Sequence, residues 1–531
     1  MTVDDAAAPT TQPVTAVTIP DQPPPPVVPR RFRWSLLGVT ALVLAGIGLR
    51  FVSVGPLWLD EAQSVSIASG PLHLLPHALR MDGAPPLWYV LLHAWIKVFG
   101  DSTYSVRLMA AIPAIASLPI AERLGRRLGG SDVARTTLIL MATSPFAIRY
   151  AVEARMYSLL LLLSLLGAHA LLSIHRSAKP VWPATALAVL MCALLYTHYY
   201  AIWLGLVVGA GELWRAVRRH DKRSWWVVGA LIAAVVGFLP WLPILRFQAA
   251  HTGAPWLAPP SFNAVLDTVS AWAGGASPLA RIAQLVMLAL VLLAVLGRRG
   301  TRRTVVIGPP VAGDPLRLLG VVFGVVLVAI VDAMITKQAY APRYTSVVLG
   351  LFVVLVAIGV QSLPSQNTRR IVIVSLALIG LGVGAAAVGQ PRTQVGRVAS
   401  ALETSSHPGD VVLYCPDQLG PSAARLLDSK SLGLKQVVYP DLASPTRVDW
   451  VDYAERMSLG DPAIVAEQVE KMAGKHTVWL VWAPGYRSIG GACGGLVEQL
   501  SVLRGPPYTA VSRDARTSES MSLEEFAPAP A

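Results

Sequence analysis

The sequence Leu-Trp-Leu-Asp-Glu-Ala-Gln-Ser at residues 57–64 follows the first long apolar run of the chain, residues 34–52. It places two adjacent carboxylates, Asp60 and Glu61, at the mouth of a membrane-spanning segment. Charged side chains near hydrocarbon are costly and tend to be kept for function. Taken alone, the pair is equally compatible with a solvated acidic loop, so its meaning depends on the rest of the chain.

The composition is that of a membrane protein. Of the 531 residues, 54% are hydrophobic and only 14% are charged, so the chain is far more apolar than an average soluble domain. The formal net charge is +13 at pH 7. The basic residues lie in short clusters between apolar runs, which is typical of the inner loops of polytopic membrane proteins. We therefore expect membrane lipids around the chain and no nucleic-acid partner.

Eleven apolar runs are candidates to cross the bilayer, which requires roughly 20 residues of helix. They are residues 34–52, 104–122, 131–148, 156–174, 181–197, 199–213, 225–245, 280–297, 317–335, 344–361 and 371–389. With a cytoplasmic N-terminus, every cytoplasmic loop is basic, as the positive-inside rule demands. The residues responsible are Arg123, Arg126, Arg127, Arg176, Lys179, Arg215, Arg218, Arg219, Lys222, Arg223, Arg298, Arg299, Arg302, Arg303, Arg369 and Arg370.

The apolar stretch at residues 85–99 is too short to cross the bilayer. Counting it as a span would also turn all later basic clusters outward, so we expect an interfacial helix on the outer leaflet. Trp88, Tyr89 and Trp95 suit the headgroup level. The first outer loop then covers residues 53–103, holds the acidic pair and contains two short helices.

The two ends of the chain differ from its apolar middle. Residues 1–29 are rich in Pro, Thr, Ala and Val and predict a disordered cytoplasmic tail. Residues 30–389 form the transmembrane domain. Residues 390–531 are more polar, with strand patterns at 411–414, 436–439 and 477–482 and a helical stretch at 462–472, so we expect an extracytoplasmic α/β domain.

Within this C-terminal domain, Cys415 and Cys493 are predicted to form a disulfide, each at the end of a candidate strand, because an extracytoplasmic compartment is oxidising. The end of the chain, from Arg513 onward, is predicted to be disordered.

Polar residues from five loops gather at the outer ends of the predicted spans. They are Asp60, Glu61, Asp82, Arg149, Glu153, Arg155, His198, Tyr199, Tyr200, Lys337, Arg343 and Tyr344. Converging on one cavity, they would combine a base for an acceptor hydroxyl with cations for a phosphate leaving group. Lys337, Arg343 and Tyr344 suit a lipid phosphate, since charge-assisted donors bind its oxygens strongly.

Each of these residues also has a structural interpretation. A single Arg or Lys at a helix end can anchor the helix at the membrane surface. Arg149, Glu153 and Arg155 could form an internal ion pair. His198 could make a structural hydrogen bond, and Tyr199, like Tyr200, could be an interface anchor.

Four strings in order carry a family resemblance. They are Leu-Asp-Glu at 59–61, Asp-Gly-Ala-Pro-Pro-Leu-Trp-Tyr at 82–89, Phe-Gly-Asp-Ser followed by Val-Arg-Leu within 99–108, and Arg-Tyr-Ala-Val-Glu-Ala-Arg-Met-Tyr-Ser-Leu at 149–159. The set resembles the GT-C membrane glycosyltransferases. It is most similar to the branch with the dolichyl-phosphate-mannose protein mannosyltransferases and the bacterial aminoarabinose transferases. The resemblance covers the first two hundred residues and extends loosely to residues 341–344.

The resemblance implies an inverting transfer of one sugar from a polyprenyl-phosphate donor on the outer face of the membrane. It implies three catalytic acids: Asp60 as general base, Glu61 as its support and Glu153 as the second acid. The implied contacts to the donor phosphate are Arg155, Lys337, Arg343 and Tyr344. Asp82, Arg149, His198 and Tyr199 would line the site.

One position departs from the family pattern. Relatives often read Asp-Gly-His-Pro-Pro where this chain has Ala84. A divalent metal, with Asp60 or His198 as a ligand, is therefore the less favoured alternative, and we expect a metal-independent site without a cofactor.

The sequence thus predicts a GT-C-like glycosyltransferase of about eleven spans in a bacterial plasma membrane. Its donor would carry mannose, with a pentose as an alternative, and its acceptor would be a cell-envelope glycan, lipoglycan or lipid. A protein O-mannosyltransferase is the second enzyme hypothesis. A lipid or sugar transporter would share the spans and basic loops, but transporters usually place polar residues near the bilayer midplane.

Overall fold

The structure is a computed structural model that describes residues 31–253, 260–299, 304–310, 313–336, 340–486 and 488–528. The predicted disordered tail at residues 1–29 lies outside this described part. Contacts within the chain define two units, residues 1–41 and 42–531. The described residues of the first unit, 31–41, are helical, and their helix continues to Leu49 in the second unit, which holds the remaining helices and the strands.

The apolar part of the chain folds as helices. They are α1 (Arg31–Leu49), α2 (Leu59–Ser69), α3 (Leu75–Asp82), α4 (Leu87–Phe99), α5 (Thr103–Ala142), α6 (Pro145–Ala151), α7 (Tyr157–Arg176), α8 (Val181–Thr197), α9 (Tyr200–Arg218), α10 (Lys222–Phe238), α11 (Leu242–His251), α12 (Ala264–Ala273), α13 (Pro278–Leu296), α14 (Asp314–Thr336), α15 (Ser346–Ser362) and α16 (Gln366–Val388). A hairpin of β1 (Gly297–Arg299) and β2 (Val305–Ile307) connects α13 to α14.

By length and composition, the described part of the chain has eight helices that could cross a membrane. The protein is therefore a polytopic helical membrane protein, and the number of eleven spans stays a prediction. Helix α5 contains one predicted run, 104–122, and the start of a second, and it is broken between them by the non-helical Gly130 at φ +79°. The second of these runs, 131–148, extends past the end of α5 into α6. Ser144 caps α6 by accepting a hydrogen bond from the Ala147 N–H, and Pro145 occupies its first turn.

Helix α15 lies at the centre of the helical part. Almost all of its residues are buried, as expected for a helix that is apolar on every face. At Gly359 the backbone of α15 approaches the Leu290 carbonyl of α13 so closely that a Cβ would collide with it. Small residues allow such close helix contacts in membrane proteins.

The loop at residues 53–103 contains three α-helices, α2, α3 and α4, where two were predicted. The stretch expected to be interfacial is α4, whose 13 residues span about 20 Å, less than the hydrocarbon core. Trp88 and Tyr89 are buried inside the protein, so they do not contact lipid headgroups as interface anchors would. Trp95 donates to the Ser105 backbone oxygen at 3.0 Å and ties α4 to α5.

The C-terminal part is an α/β fold. Its elements are α17 (Val395–Ser405), β3 (Val411–Cys415), α18 (Gly420–Asp428), β4 (Lys435–Val438), α19 (Tyr453–Ser458), α20 (Pro462–Ala473), β5 (Val478–Trp482), α21 (Ala492–Arg504), β6 (Tyr508–Val511) and β7 (Ser522–Phe526). The strands form one sheet in the order β4-β3-β5-β7-β6. Strands β3, β4 and β5 are parallel, and β7 is antiparallel to both its neighbours. The three predicted strands are confirmed.

The prediction of a disordered end is wrong, because β7 lies inside the sheet between β5 and β6. Two charged residues in its sequence, Ser-Leu-Glu-Glu-Phe, hid the strand pattern. Glu524 is buried and accepts a hydrogen bond from the Thr509 hydroxyl at 2.7 Å, which satisfies its charge inside the fold.

The predicted disulfide between Cys415 and Cys493 is present, with Cα atoms 5.6 Å apart. Cys415 ends β3 as expected, but Cys493 lies in the first turn of α21 and not at a strand end.

The α/β part rests on the loop at residues 53–103. Arg425 of α18 pairs with Asp101 at 3.0 Å. Gln63 of α2 exchanges two hydrogen bonds of 2.9 Å with the backbone of Val448. The helix that carries the acidic pair is therefore held from both sides, by the helical part and by the α/β part.

Candidate active site

Asp60 and Glu61 lie in the first turn of α2, and their side chains have different surroundings. The Glu61 carboxylate is completely buried and forms two bonds with Arg107, Nε to Oε1 at 2.8 Å and Nη2 to Oε2 at 2.7 Å. It also accepts the Ala154 N–H at 2.9 Å. Both oxygens are thus engaged, so Glu61 holds α2 against α5 and residues 149–155. These contacts favour a positioning role for Glu61, and its expected role as support for the base stays a prediction.

Asp60 instead keeps an oxygen available. Its Oδ2 lies 3.5 Å from Nη1 of Arg343 and has no hydrogen-bond partner, although the atom is buried. The Arg343 guanidinium lies over two rings, 5.9 Å from the centre of Trp58 and 5.5 Å from that of Tyr344. Cation–π contacts of this kind hold a guanidinium in place while leaving its N–H groups free to bind an anion.

A second arginine lies beside the same acid. Nη1 of Arg155 donates to the Ser64 hydroxyl at 2.8 Å and to the Tyr89 hydroxyl at 3.3 Å. The Tyr89 hydroxyl in turn donates to the Asp82 carboxyl group at 2.5 Å. The same carboxyl group also accepts a hydrogen bond from the Gln63 amide at 3.2 Å. Burial raises the pKa of Asp82, and the Arg155 charge opposes that shift. Asp82 therefore orients Tyr89 and, through it, Arg155.

His198 stands in an aromatic group on the other side of the arginines. Its ring centre is 4.9 Å from that of Tyr344 and 5.4 Å from that of Tyr200. Burial and the charges of Arg155 and Arg343 lower the pKa of His198 to about 3, so the ring is neutral. Its Nδ1 accepts the Tyr200 N–H at 3.2 Å, which leaves the proton on Nε2.

Glu153 is paired with a residue that the sequence did not single out. Its Oε2 bonds to Arg392, which follows the last apolar helix and also donates to the Arg149 backbone oxygen at 3.0 Å. Oε1 of Glu153 is buried without a hydrogen-bond partner. The Arg149 guanidinium lies 6.0 Å from the Tyr150 ring centre. Glu153 thus joins the helical part to the start of the α/β part and keeps one free oxygen.

The α/β part brings a further carboxyl group, Glu519, to the same region. Its Oε1 accepts a hydrogen bond from Ser422 at 2.8 Å, and its Oε2 is buried without a hydrogen-bond partner. Burial raises the pKa of Glu519 to about 8, with a contribution from the nearby Asp60 charge. A neutral Glu519 beside Asp60 avoids repulsion between two carboxylates.

Buried polar atoms without hydrogen-bond partners concentrate here. Of twelve such side-chain atoms in the described residues, seven belong to this group. They are on Trp58, Asp60, Glu153, Arg155, Tyr157, Arg343 and Glu519. Because buried polar groups are normally satisfied, such a concentration of both acceptors and donors is the arrangement expected of a binding site for a polar, partly anionic ligand.

The structure thus joins most of the predicted site residues. Those around Asp60 are Asp82, Arg155, His198, Arg343 and Tyr344, with Glu61 and Glu153 adjacent but engaged in ion pairs. The Tyr199 hydroxyl is engaged elsewhere, because it bonds to Gln248 and accepts the Trp241 N–H at 3.0 Å. Lys337 lies outside the described residues.

Sequence reasoning missed several residues of the site. Arg107, Tyr89 and Tyr157 stand inside the strings that carry the family resemblance, and their place in those strings is the signal that could have found them. Arg392 and Glu519 have no such signal, since only the fold brings them to Asp60 and Glu153. Across the described ranges, no group of three or more His, Cys, Asp or Glu residues could hold a metal ion.

Comparisons by sequence give no match to a family model and none to a curated protein. Solved structures do match. ArnT from Cupriavidus metallidurans in its apo state is 13% identical, with a TM-score of 0.61 over 95% of this chain and 100% of that one. The same protein bound to undecaprenyl phosphate gives 13% identity and a TM-score of 0.56 over 94% and 99%.

A third match is the oligosaccharyltransferase AglB from Archaeoglobus fulgidus, in complex with an inhibitory peptide and a dolichol-phosphate. It is 11% identical, with a TM-score of 0.50 over 90% of this chain and 73% of that one. These likenesses establish that the chain has the GT-C fold of the membrane glycosyltransferases.

Proposed function

We propose that this chain, which has the GT-C fold, is an inverting glycosyltransferase that moves one sugar from a polyprenyl-phosphate donor to an acceptor hydroxyl. The observation that carries the proposal is the arrangement around Asp60. One carboxylate oxygen without a hydrogen-bond partner lies beside two arginines, Arg155 and Arg343, whose Nε atoms are also unpaired and buried.

The two arginines would bind the donor phosphate. Arg155 and Arg343 come from different segments of the chain, and each has an Nη1 at 3.5 Å from a different oxygen of Asp60, the backbone oxygen for Arg155 and Oδ2 for Arg343. They can therefore contact separate phosphate oxygens. Charge-assisted N–H···O bonds to phosphate are among the stronger hydrogen bonds in proteins. That ArnT and AglB have been solved with polyprenyl phosphates supports a lipid phosphate as this ligand.

The reaction follows from these positions. Oδ2 of Asp60 takes the proton of the acceptor hydroxyl while the hydroxyl oxygen attacks the anomeric carbon of the donor sugar. The bond between that carbon and the phosphate oxygen breaks, and its electron pair leaves on the phosphate. Arg155 and Arg343 stabilise the charge that develops there. A single displacement of this kind inverts the anomeric configuration.

The neighbouring residues would fix the substrates. Nε2–H of neutral His198 is a donor without positive charge, suited to a sugar hydroxyl or a phosphate oxygen. The free Oε1 of Glu153 could accept a hydrogen bond from a sugar hydroxyl. Glu61, locked by Arg107, and Asp82, bonded to Tyr89, would hold the reacting groups in position.

The identity of the donor sugar, the acceptor and the membrane is proposed from the sequence resemblance. Mannose is the favoured sugar and a pentose the alternative, and the acceptor is a cell-envelope glycan, lipoglycan or lipid on the outer face of a bacterial plasma membrane. The α/β part covers α2 and is therefore in a position to contact the acceptor.

The test is transfer of radiolabelled sugar from a panel of polyprenyl-phosphate sugars in membranes that contain the full chain. We expect Asp60→Asn to lower transfer by roughly 10²- to 10⁴-fold, the contribution typical of a general base. Asp132→Asn is the matched control, because Asp132 is exposed beside the break of α5 at Gly130 and belongs to none of the contacts around Asp60.

Two results would contradict the proposal. Full activity of the Asp60→Asn protein would remove the proposed base. A lack of transfer from every donor by the wild-type protein, together with movement of a lipid across the membrane, would favour the transporter hypothesis.

A further inference from the structure

A large cavity lies at the end of the helical part opposite the candidate active site. Its volume is about 840 Å³. Helices α7 and α9 start beside the site, at Tyr157 and Tyr200, and run away from it to Arg176 and Arg218. The cavity lies between these two helices, with α14 as a further wall.

The walls of the cavity are apolar along most of its length. They include Leu124, Leu171, Leu187, Leu204, Val208 and Leu351. Along α9 and the residue that follows it, the lining extends from Leu204 to Arg219, which is about 22 Å along the axis at the α-helical rise. This is most of the thickness of the hydrocarbon core. The shape suits a long hydrocarbon chain lying parallel to the helices.

The rim of the cavity is basic. Four arginines line it, Arg176, Arg215, Arg219 and Arg317, against the carboxylates of Glu212 and Asp314.

The acids neutralise only two of these arginines. Arg215 pairs with Glu212 at 3.1 Å, and Arg317 pairs with Asp314 at 3.4 Å. Arg176 and Arg219 form no ion pair with any carboxylate that the structure describes. Arg219 instead lies 4.8 Å from the ring centre of Trp214. The open end of an apolar cavity thus presents two uncompensated positive charges.

We propose that this cavity binds an anionic membrane phospholipid, with its phosphate at Arg176 and Arg219 and an acyl chain along α9. The charge of the rim distinguishes an anionic headgroup from a zwitterionic one, since basic side chains at a membrane surface attract anionic lipids. The phosphate at the rim is not that of the sugar donor, because the proposed function places the donor phosphate at Arg155 and Arg343, at the other end of the same helices. This exclusion rests on the proposed function, whereas the lipid-binding tests measure no sugar transfer and succeed or fail separately from it.

The first test concerns the charge of the rim. The full chain in detergent micelles is titrated with phosphatidylglycerol and with phosphatidylcholine of the same acyl chains, and the bound lipids are counted by native mass spectrometry. We expect phosphatidylglycerol to bind more tightly. Arg176→Gln and Arg219→Gln should each weaken its binding about fivefold.

Arg218→Gln is the matched control for charge. Arg218 is the next residue to Arg219 and is exposed, but it does not line the cavity. Its substitution should leave the affinity for phosphatidylglycerol unchanged. Equal binding of the two lipids, or an equal loss in Arg218→Gln, would overturn the proposal.

The second test fills the cavity. Gly211 of α9 lines it, and a Cβ at this position would meet no atom within 4 Å. Gly211→Leu should therefore add its side chain from an open position into the space of the acyl chain and weaken phosphatidylglycerol binding more than tenfold. Gly229→Leu on α10 is the control, because Gly229 also has open space around it but does not line this cavity.

Thermal unfolding checks that both glycine variants are folded. If either variant is not folded, the arginine variants, which change only exposed or rim positions, still decide the question. Wild-type affinity in a folded Gly211→Leu protein, or the same loss in both glycine variants, would show that no lipid chain occupies the cavity.

Discussion

Oδ2 of Asp60 lies 3.5 Å from Nη1 of Arg343, so the proposed base and one proposed phosphate ligand neutralise each other in the absence of substrate. A donor phosphate that binds Arg343 would compete for the same N–H group and draw it from Asp60. The carboxylate would then lose its nearest cation and become a better proton acceptor. On the proposed mechanism, this ion pair would couple donor binding to activation of the base.

Arg343→Gln should therefore impair both donor binding and activation of the base. We expect kcat/KM for the donor to fall by about 10²- to 10³-fold, the usual effect of removing a donor that stabilises developing charge. The kcat/KM of Arg343→Lys should lie between the values of wild type and Arg343→Gln, because lysine keeps the positive charge and loses the planar guanidinium. Steady-state transfer assays check this, with the exposed Arg281→Gln on α13 as control. Activity of Arg343→Gln within about twofold of wild type would exclude a role in phosphate binding.

Glu61 and Arg107 give a prediction about stability. Both side chains are buried, with exposures of 0% and 5%, and Glu61→Gln leaves the Arg107 charge without its partner. Loss of one member of a buried pair typically costs about 3–5 kcal/mol. Thermal or denaturant unfolding of the purified protein should show this loss. The double variant Glu61→Gln with Arg107→Gln should cost less than the sum of the two single changes.

The control for this pair is Glu122→Gln. Glu122 pairs with Arg126 on the surface of α5, where the Arg126 side chain is 60% exposed. An exposed pair of this kind contributes less than about 1 kcal/mol. A similar loss in Glu61→Gln and Glu122→Gln would mean that the buried pair does not stabilise α2 in the way that we propose.

The predicted orientation in the membrane can be tested by cysteine labelling in intact cells. In a Cys192→Ala background, Lys475→Cys in the α/β part should react with a reagent that does not cross the membrane. Arg126→Cys, at the end of the helical part that is predicted to be cytoplasmic, should react only after the cells are opened. Both positions are exposed in the structure. The opposite pattern of labelling would reverse the proposed topology.

The elements that the sequence predicted well depend on local patterns. Apolar runs predicted the long helices, and buried strand patterns predicted β3, β4 and β5. The two glutamates of β7 hid its strand pattern in the sequence. Glu524 fits inside the sheet because the Thr509 hydroxyl donates a hydrogen bond to it, and Thr509 lies on a different strand, β6. Trp88 and Tyr89 look like interface residues in sequence, but packing of α2 and α5 against α4 buries them.

The candidate site, like the fold, was predictable from the sequence only where it depends on local patterns. Asp60, Arg155 and Arg343 could be selected as polar residues at the outer ends of apolar runs. The partners that set their chemistry could not, because Arg392 and Glu153 are 239 residues apart and meet only in the fold, where α16 packs against α6. For the same reason the engaged state of Glu61 was not visible, since its partner Arg107 lies 46 residues further along the chain.

Glu519 gives the last prediction, which concerns pH. In the folded chain its pKa is raised from 4.5 to about 8, mainly by burial. The folded state therefore binds more protons than the unfolded state between these two values, and stability falls as the pH rises through this window. The contribution is fully present below the unfolded pKa and is lost as the pH passes the folded pKa.

Glu519→Gln keeps the shape of the protonated side chain and cannot ionise. We expect it to flatten the pH dependence of thermal unfolding between about pH 5 and pH 9, measured on the purified full chain, and to be more stable than wild type at the alkaline end. It should also retain transfer activity at neutral pH, since the wild-type residue is neutral there. The exposed Glu498→Gln on α21 is the control and should keep the wild-type slope. A wild-type slope in Glu519→Gln would show that Glu519 is ionised beside Asp60, and the two carboxylates would then need a cation between them.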